Sequence, residues 1–256
     1  MTVEHITSRK NPLILRLRAL AADGEFRRAE GEYICDGHKL LYEALDKGAK
    51  VRCILWKEKP GGIELPAHVR QCTAPADLFD YASPMKNSPG PLFTLAIPDE
   101  PEPTFNRAIL LENVQDPGNV GTVIRTAAAM GVKTVILCGA CADVYSPKTA
   151  RATMGAIFRE RIIHCDADNV RILLDRNCLK LYGAALSDRA ADIRTVSLQN
   201  AVVAVGSEGR GLSAEILRQC DGEIIIPMSP GSESLNAAVA ASIVLWEMQN
   251  AAAGGR

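Results

Sequence analysis

After residue 106 the chain repeats one pattern: short runs of branched apolar residues separated by segments with helical spacing. The runs are AILLEN, KTVILC, RERIIH, KLYGAAL, AVVAVG and EIIIPM. Between them stand NVGTVIRTAAAM ended by Gly131, PKTARATMGAIF, DNVRILLDRNC, a short helix from Ser213 and a final alanine-rich helix. Continuous apolar runs alternating with helices predict a parallel sheet covered on both faces, an α/β fold. In such sheets ligands sit beyond the carboxyl ends of the strands. The strand-to-helix turns are therefore where function is to be sought.

Ahead of this region, PDEPEPTFN at residues 98–106 holds three prolines and three acids. Neither a helix interior nor a central strand accepts such a segment, so it reads as a linker. It divides the chain into residues 1–98, a linker at 99–106 and residues 107–256. The first part reads as a small α/β unit of four strands: EYICDG, VRCILW, HVRQC and PLFTLAI. Asn11 caps a helix that begins at Pro12, and Gly48 ends HKLLYEALDKG. Arg9, Lys10, Arg16, Arg18, Arg27 and Arg28 form a basic cluster, which is either a solvated helix face or a phosphate-binding surface.

Composition sets the outer limits. A chain of 256 residues with 47% hydrophobic residues and a net charge of −1 is an ordinary globular protein. The longest uncharged apolar run, Ser234 to Trp246, is shorter than the ~20 residues of a membrane span. Eight cysteines without framework spacing read as free thiols and place the protein in the cytoplasm. Cys138 and Cys141 lack a second pair or histidines to complete a zinc site, so no metal is expected.

Three turns carry too many glycines and polar groups for mere connections. In ENVQDPGNVGTVIRTAA, Pro117 and Gly118 turn the chain, Asn119 is placed as the helix cap and Gly121 permits close backbone approach. Arg125 falls in the second helical turn. Neither a Gly-Lys-Ser/Thr loop nor GxGxxG is present, and this turn alone reads equally as a site or a plain turn. In VAVGSEGRGLSAEI, Gly206, Gly209 and Gly211 surround Glu208, with Ser213 as the helix cap. Three glycines suggest backbone held against a ligand, and the carboxylate can accept hydrogen bonds from a ribose, an amino group or an arginine. In IPMSPGSESLN, Ser234 is the natural cap of the last helix, which leaves Glu233 and Asn236 unexplained.

Taken in order, N-x-G-x-x-x-R-T-A, V-G-S-E-G-x-G-L and I-P-M-…-S-L-N resemble the three signature motifs of the SpoU/TrmH class of RNA ribose 2′-O-methyltransferases, members of the SPOUT superfamily. The segment EGEYICDGHKLLYEALDKGAKVRCILW also resembles the RNA substrate-binding domain often fused in front of such enzymes, similar to small ribosomal proteins. The resemblance implies a deep trefoil knot in the C-terminal sheet with S-adenosylmethionine bound in it. It assigns Gly206, Ile226 and Leu235 to the donor pocket, with Gly209 and Met228 completing the wall. The matching polar positions are Asn119, Arg125, Glu208, Ser234 and Asn236. Arg125 is expected to bind phosphate and stabilise a developing alkoxide, since a guanidinium rarely deprotonates. Glu208 is expected to orient Arg125 or share the proton path. Homodimers with RNA across both protomers follow from the same resemblance. The final helix, apolar almost all round, is expected to be buried on more than one side, and Arg151, Arg159 and Arg161 could extend a basic track. Ribosomal RNA is the preferred substrate and tRNA the alternative. A non-catalytic RNA-binding protein is the main rival; a nicotinamide oxidoreductase lacks its glycine fingerprint here.

Overall fold

The computed structural model describes residues 3–60, 62–99, 104–229, 231 and 234–252. Residues 100–103 of the expected linker, and Ser232 and Glu233 of the third turn, lie outside the described residues. The chain divides into two compact units: residues 1–99 with 143–158, and residues 100–142 with 159–256.

The first unit contains β1 (Glu4–His5), α1 (Pro12–Ala22), α2 (Gly24–Glu30), β2 (Glu32–Asp36), α3 (His38–Asp46), β3 (Val51–Lys57), β4 (Arg70–Ala74), α4 (Ala76–Ala82) and β5 (Leu92–Ala96). Its sheet runs β1-β4-β3-β5-β2, adding a two-residue edge strand to the four that the sequence suggests. As expected, Asn11 caps α1, its side chain accepting from the Leu13 amide. Leu13, Ile14, Leu17 and Leu20 of α1 pack with Leu78, Phe79 and Ala82 of α4 over Ile34, Leu55 and Cys72 of the sheet.

The rest of the chain adds β6 (Ala108–Glu112), α5 (Pro117–Ala129), β7 (Thr134–Cys138), α6 (Pro147–Ala152), β8 (Arg161–Cys165), α7 (Val170–Arg176), β9 (Lys180–Ala184), β10 (Ala191–Asp192), β11 (Ala201–Val205), α8 (Ala214–Gln219), β12 (Gly222–Ile225) and α9 (Ala237–Ala252). All but α6 belong to the second unit. Its seven strands run β10-β12-β9-β11-β6-β7-β8, and every pairing is parallel. Alternate residues serve opposite faces. Ala108, Leu110, Val202 and Ala204 meet Val170 and Leu174 of α7 and Ile216 of α8. The other face is covered by α5 and α9, which also pack on one another.

One expectation needs correction. The segment PKTARATMGAIF forms only a six-residue helix, α6, followed by a 3₁₀ turn. The Thr153 hydroxyl donates back to the Ala150 carbonyl, then Met154 and Gly155 take positive φ values of 52° and 91°, which right-handed helix forbids. This segment clusters with the first unit, where Tyr145 packs against Tyr33 in a tilted pair with ring centroids 4.9 Å apart. As expected, α9 is buried on more than one side, packing against both α5 and β11. Ala241, Val244, Leu245 and Met248 are buried, but Val239 and Trp246 are 49% and 53% exposed.

Candidate active site

The cavity opens where the topology of a parallel sheet would place it. It has a volume of about 480 Å³ and lies at the carboxyl ends of β9, β11 and β12 and the start of α9. Its wall includes Gly206, Glu208 and Gly209 after β11, Ile226 and Met228 after β12, and Ser234 and Leu235 before α9. All five donor-pocket positions expected from the sequence line it, as do two of the five polar ones, Glu208 and Ser234.

The wall depends on one close approach. The backbone of Gly211 and Leu212 folds back against Gly206, and a Cβ at Gly206 would fall inside those backbone atoms. Only glycine fits there. The fold-back is held by the Gly211 amide donating to the Ser207 carbonyl at 2.9 Å. The arrangement puts Glu208 and Gly209 at the tip of a tight loop facing the cavity.

At this lip the three turns join. The Asn236 side-chain oxygen accepts from the amides of Ala238 (3.0 Å) and Val239 (3.3 Å), so Asn236, not Ser234, caps α9. Its Nδ2 therefore faces outward and donates to Oδ1 of Asn119 at 3.3 Å. Asn119 Nδ2 in turn donates to Oε1 of Glu208. Each amide orientation is fixed by the next bond in the chain. The double role of Asn236 explains why two polar residues flank Leu235: one caps the helix and the other, Ser234, faces the cavity.

The cap of α5 also needs correction. Asp116, not Asn119, caps it, accepting from the Asn119 amide at 2.8 Å. Pro117 occupies the first helical position because its ring presets φ and its missing N–H is not needed there. With the cap moved back to Asp116, the Asn119 side chain is released for Glu208. The earlier helix start also puts Arg125 in the third turn of α5. Arg125 is exposed and makes no hydrogen bond or ion pair among the described residues.

Sequence reasoning missed the contribution of β9. Ala184, Ala185 and Leu186 line the cavity, and Leu186 is 60% exposed. The signal was a small-residue run at a strand end, which leaves room beside a ligand. The lone cysteine pair behaves as thiols. Burial is the largest effect pushing Cys138 up to about 12 and also raises Cys141, whose Sγ donates to the Leu111 carbonyl at 3.2 Å.

The basic cluster of the first unit splits in two. Arg16 is paired with Glu30 and Glu32, and buried Arg27 pairs with Asp143 and donates to the carbonyl of Leu20 at 2.6 Å. These are internal supports. Arg9 and Arg18 instead stack on Tyr81, 4.6 and 4.1 Å from the ring centroid, and remain exposed, although Arg18 also donates to the Tyr81 carbonyl at 2.6 Å. Arg161 donates to the Thr104 carbonyl, so it too serves the fold.

A seven-stranded parallel sheet, a cavity at its carboxyl ends and three polar turns converging there define an α/β enzyme scaffold for a nucleoside-sized ligand. The SpoU rRNA Methylase family matches residues 106–246, and the chain belongs to that family. It is 30% identical over 250 residues to the Bacillus subtilis 23S rRNA (guanosine(2553)-2′-O)-methyltransferase RlmP, covering 96% of this chain and 100% of that one. Among solved structures it resembles an AdoMet-bound rRNA methyltransferase from Sinorhizobium meliloti, with TM-score 0.86, 26% identity and coverage of 97% and 98% of the two chains. It also resembles a TrmH-family RNA methyltransferase from Porphyromonas gingivalis, with TM-score 0.84, 30% identity and coverage of 93% and 97%.

Proposed function

We propose that this protein transfers a methyl group from S-adenosylmethionine to a ribose 2′-hydroxyl of ribosomal RNA. The observation that carries the reading is the hydrogen-bond chain Asn236–Asn119–Glu208 at the lip of the 480 Å³ cavity. The cavity fits the donor: its volume is within the roughly 300–1,000 Å³ of small-ligand sites. Its wall is mostly apolar, with backbone approach secured by Gly206. Gly206, Gly209, Ile226, Met228 and Leu235 would hold the donor. When bound, S-adenosylmethionine supplies an electrophilic methyl group on a sulfonium, so the chain need only align an oxygen and relieve it of its proton.

Glu208 would take that proton. One carboxylate oxygen accepts from Asn119, which orients the side chain, and Glu208 borders the cavity. Ser234, on the same wall, would bond the ribose. Arg125 would bind the adjacent phosphate and steady the developing alkoxide. Alignment of this kind is worth several kcal/mol of barrier.

In the same proposal the C-terminal part of the second unit forms the trefoil knot. Support comes from α9, which follows β12, next to the sheet edge, yet packs on α5 and β11. The active species is a homodimer. Trp246 and Val239 leave an apolar face on α9, and a groove there also includes Thr122, Thr126 and Ile243. Residues 1–98 would be the RNA substrate-binding domain, where exposed Arg9 and Arg18, preordered on Tyr81, can meet phosphates. Ribosomal RNA is favoured over tRNA because the relatives named for rRNA align with this unit as well as the second. Eight free cysteines are in keeping with a cytoplasmic location.

The test is transfer of labelled methyl groups from S-adenosylmethionine to rRNA and, separately, tRNA, followed by digestion to nucleosides. Label in 2′-O-methylnucleosides of rRNA is the expected result. RNA binding without transfer to either substrate would favour the non-catalytic reading.

A further inference from the structure

Glu112 closes β6 and is only 3% exposed, a buried carboxylate at the end of an otherwise apolar strand. Burying a carboxylate is costly unless it is well bonded. Its Oε2 accepts the backbone amide of Ser213 at 2.8 Å, across 101 residues of sequence. Ser213 is the cap of α8, its hydroxyl accepting from the Ile216 amide at 3.2 Å. Glu112 therefore pins the far end of the loop whose tip carries Glu208.

The same residue also begins the turn that leads to Asn119. The chain runs from Glu112 to Asn119, crosses to Glu208 by hydrogen bond, follows the loop to Ser213 and returns to Glu112 by another. The result is a closed ring joining the first and second turns. One of its two cross-links is the contact that fixes Glu208. The other is a part-buried bond from a backbone amide to a side-chain carboxyl oxygen.

We infer that Glu112 is a positioning residue for methyl transfer, acting on Glu208 through the Ser213 anchor rather than touching either substrate. The inference rests on the role proposed above for Glu208. Losing Glu112 frees the end of the loop, so Glu208 no longer meets Asn119 in a fixed geometry. A hydrogen bond to a charged group corresponds to roughly 10- to 100-fold in rate.

The experiment is a double-mutant cycle on methyl transfer, with donor affinity and thermal stability measured on the same samples. Glu112→Ala is expected to lower kcat about 10- to 100-fold, and Glu112→Gln, which keeps an acceptor oxygen, is expected to recover most of that loss. Added to Glu208→Ala, Glu112→Ala is expected to cost less than about threefold more, since neighbours in one network are non-additive. Fully additive losses, or equal losses in the Ala and Gln variants, would overturn the inference. If Glu112→Ala does not fold, Glu112→Asp, one methylene too short, enters the same cycle with the same expectation. Glu208→Ala alone separates the two levels: undiminished turnover there refutes the role of Glu208, whereas a large loss without coupling refutes only the role of Glu112.

Discussion

Gly206→Ala is the most revealing single change, because it adds one methyl group at the point where the cavity wall doubles back. The new Cβ would fall inside the backbone of Gly211 and Leu212. Carbon contacts need roughly 3.5–4.0 Å, so the loop must retreat on the order of 1 Å. It cannot rotate away, because Leu212 is only 8% exposed and the Ser213 amide is tied to Glu112. The retreat moves Glu208 and the donor wall together. A misplacement of about 1 Å near reacting groups costs on the order of 100-fold, or about 2.7 kcal/mol. Donor affinity by calorimetry and kcat/KM by methyl transfer are the readouts. Gly209→Ala is the control within the same loop, since a Cβ there meets nothing within 4 Å among the described residues. A loss below about tenfold is expected for it. Wild-type donor affinity in Gly206→Ala would refute the claim that this close approach shapes the site.

Asn236→Ala removes the cap of α9 and is expected to cost about 0.5–2 kcal/mol, seen as a lowered Tm. Asn236→Asp keeps the cap acceptor but loses the donor to Asn119; Tm near wild type with methyl transfer down about tenfold is expected. Asp143→Ala strips buried Arg27 of its carboxylate, and denaturant titration is expected to show a loss of about 3 kcal/mol. Glu160 is buried with neither carboxylate oxygen hydrogen-bonded among the described residues, and burial, partly offset by Lys133, holds its pKa above the ordinary 4.5. The folded state thus binds that proton more tightly than the unfolded one. The group destabilises the fold above its raised pKa, and that penalty is relieved as pH falls toward 4.5. Glu160→Gln is therefore expected to be more stable than wild type at neutral pH, with the difference shrinking in acid; no difference at any pH would contradict this.

The fold of residues 107–256 was legible because period and composition agree: branched runs such as AVVAV have no stable place except a sheet covered on both faces. The cavity residues were legible too, through glycine content at strand ends. What the sequence hid was which polar residue in each turn caps the helix. Asp116 and Asn119 both suit a cap, and only the position of Pro117 decides between them. Ser234 and Asn236 pose the same ambiguity, and tertiary contact with Asn119 resolves it for Asn236. Premature termination of α6 was hidden because Met154 at positive φ has no local sequence signal. Glu112 escaped notice because a charge ending an apolar strand reads as a loop residue until its partner, 101 residues away, is seen.

The most direct measurement is a crystal structure of the protein grown with S-adenosylmethionine. Density for the donor is expected between Gly206, Ile226 and Leu235, with its methyl group directed toward the side bearing Glu208. Donor bound on another surface, or the cavity filled by rearranged side chains while the protein still methylates RNA, would contradict the account.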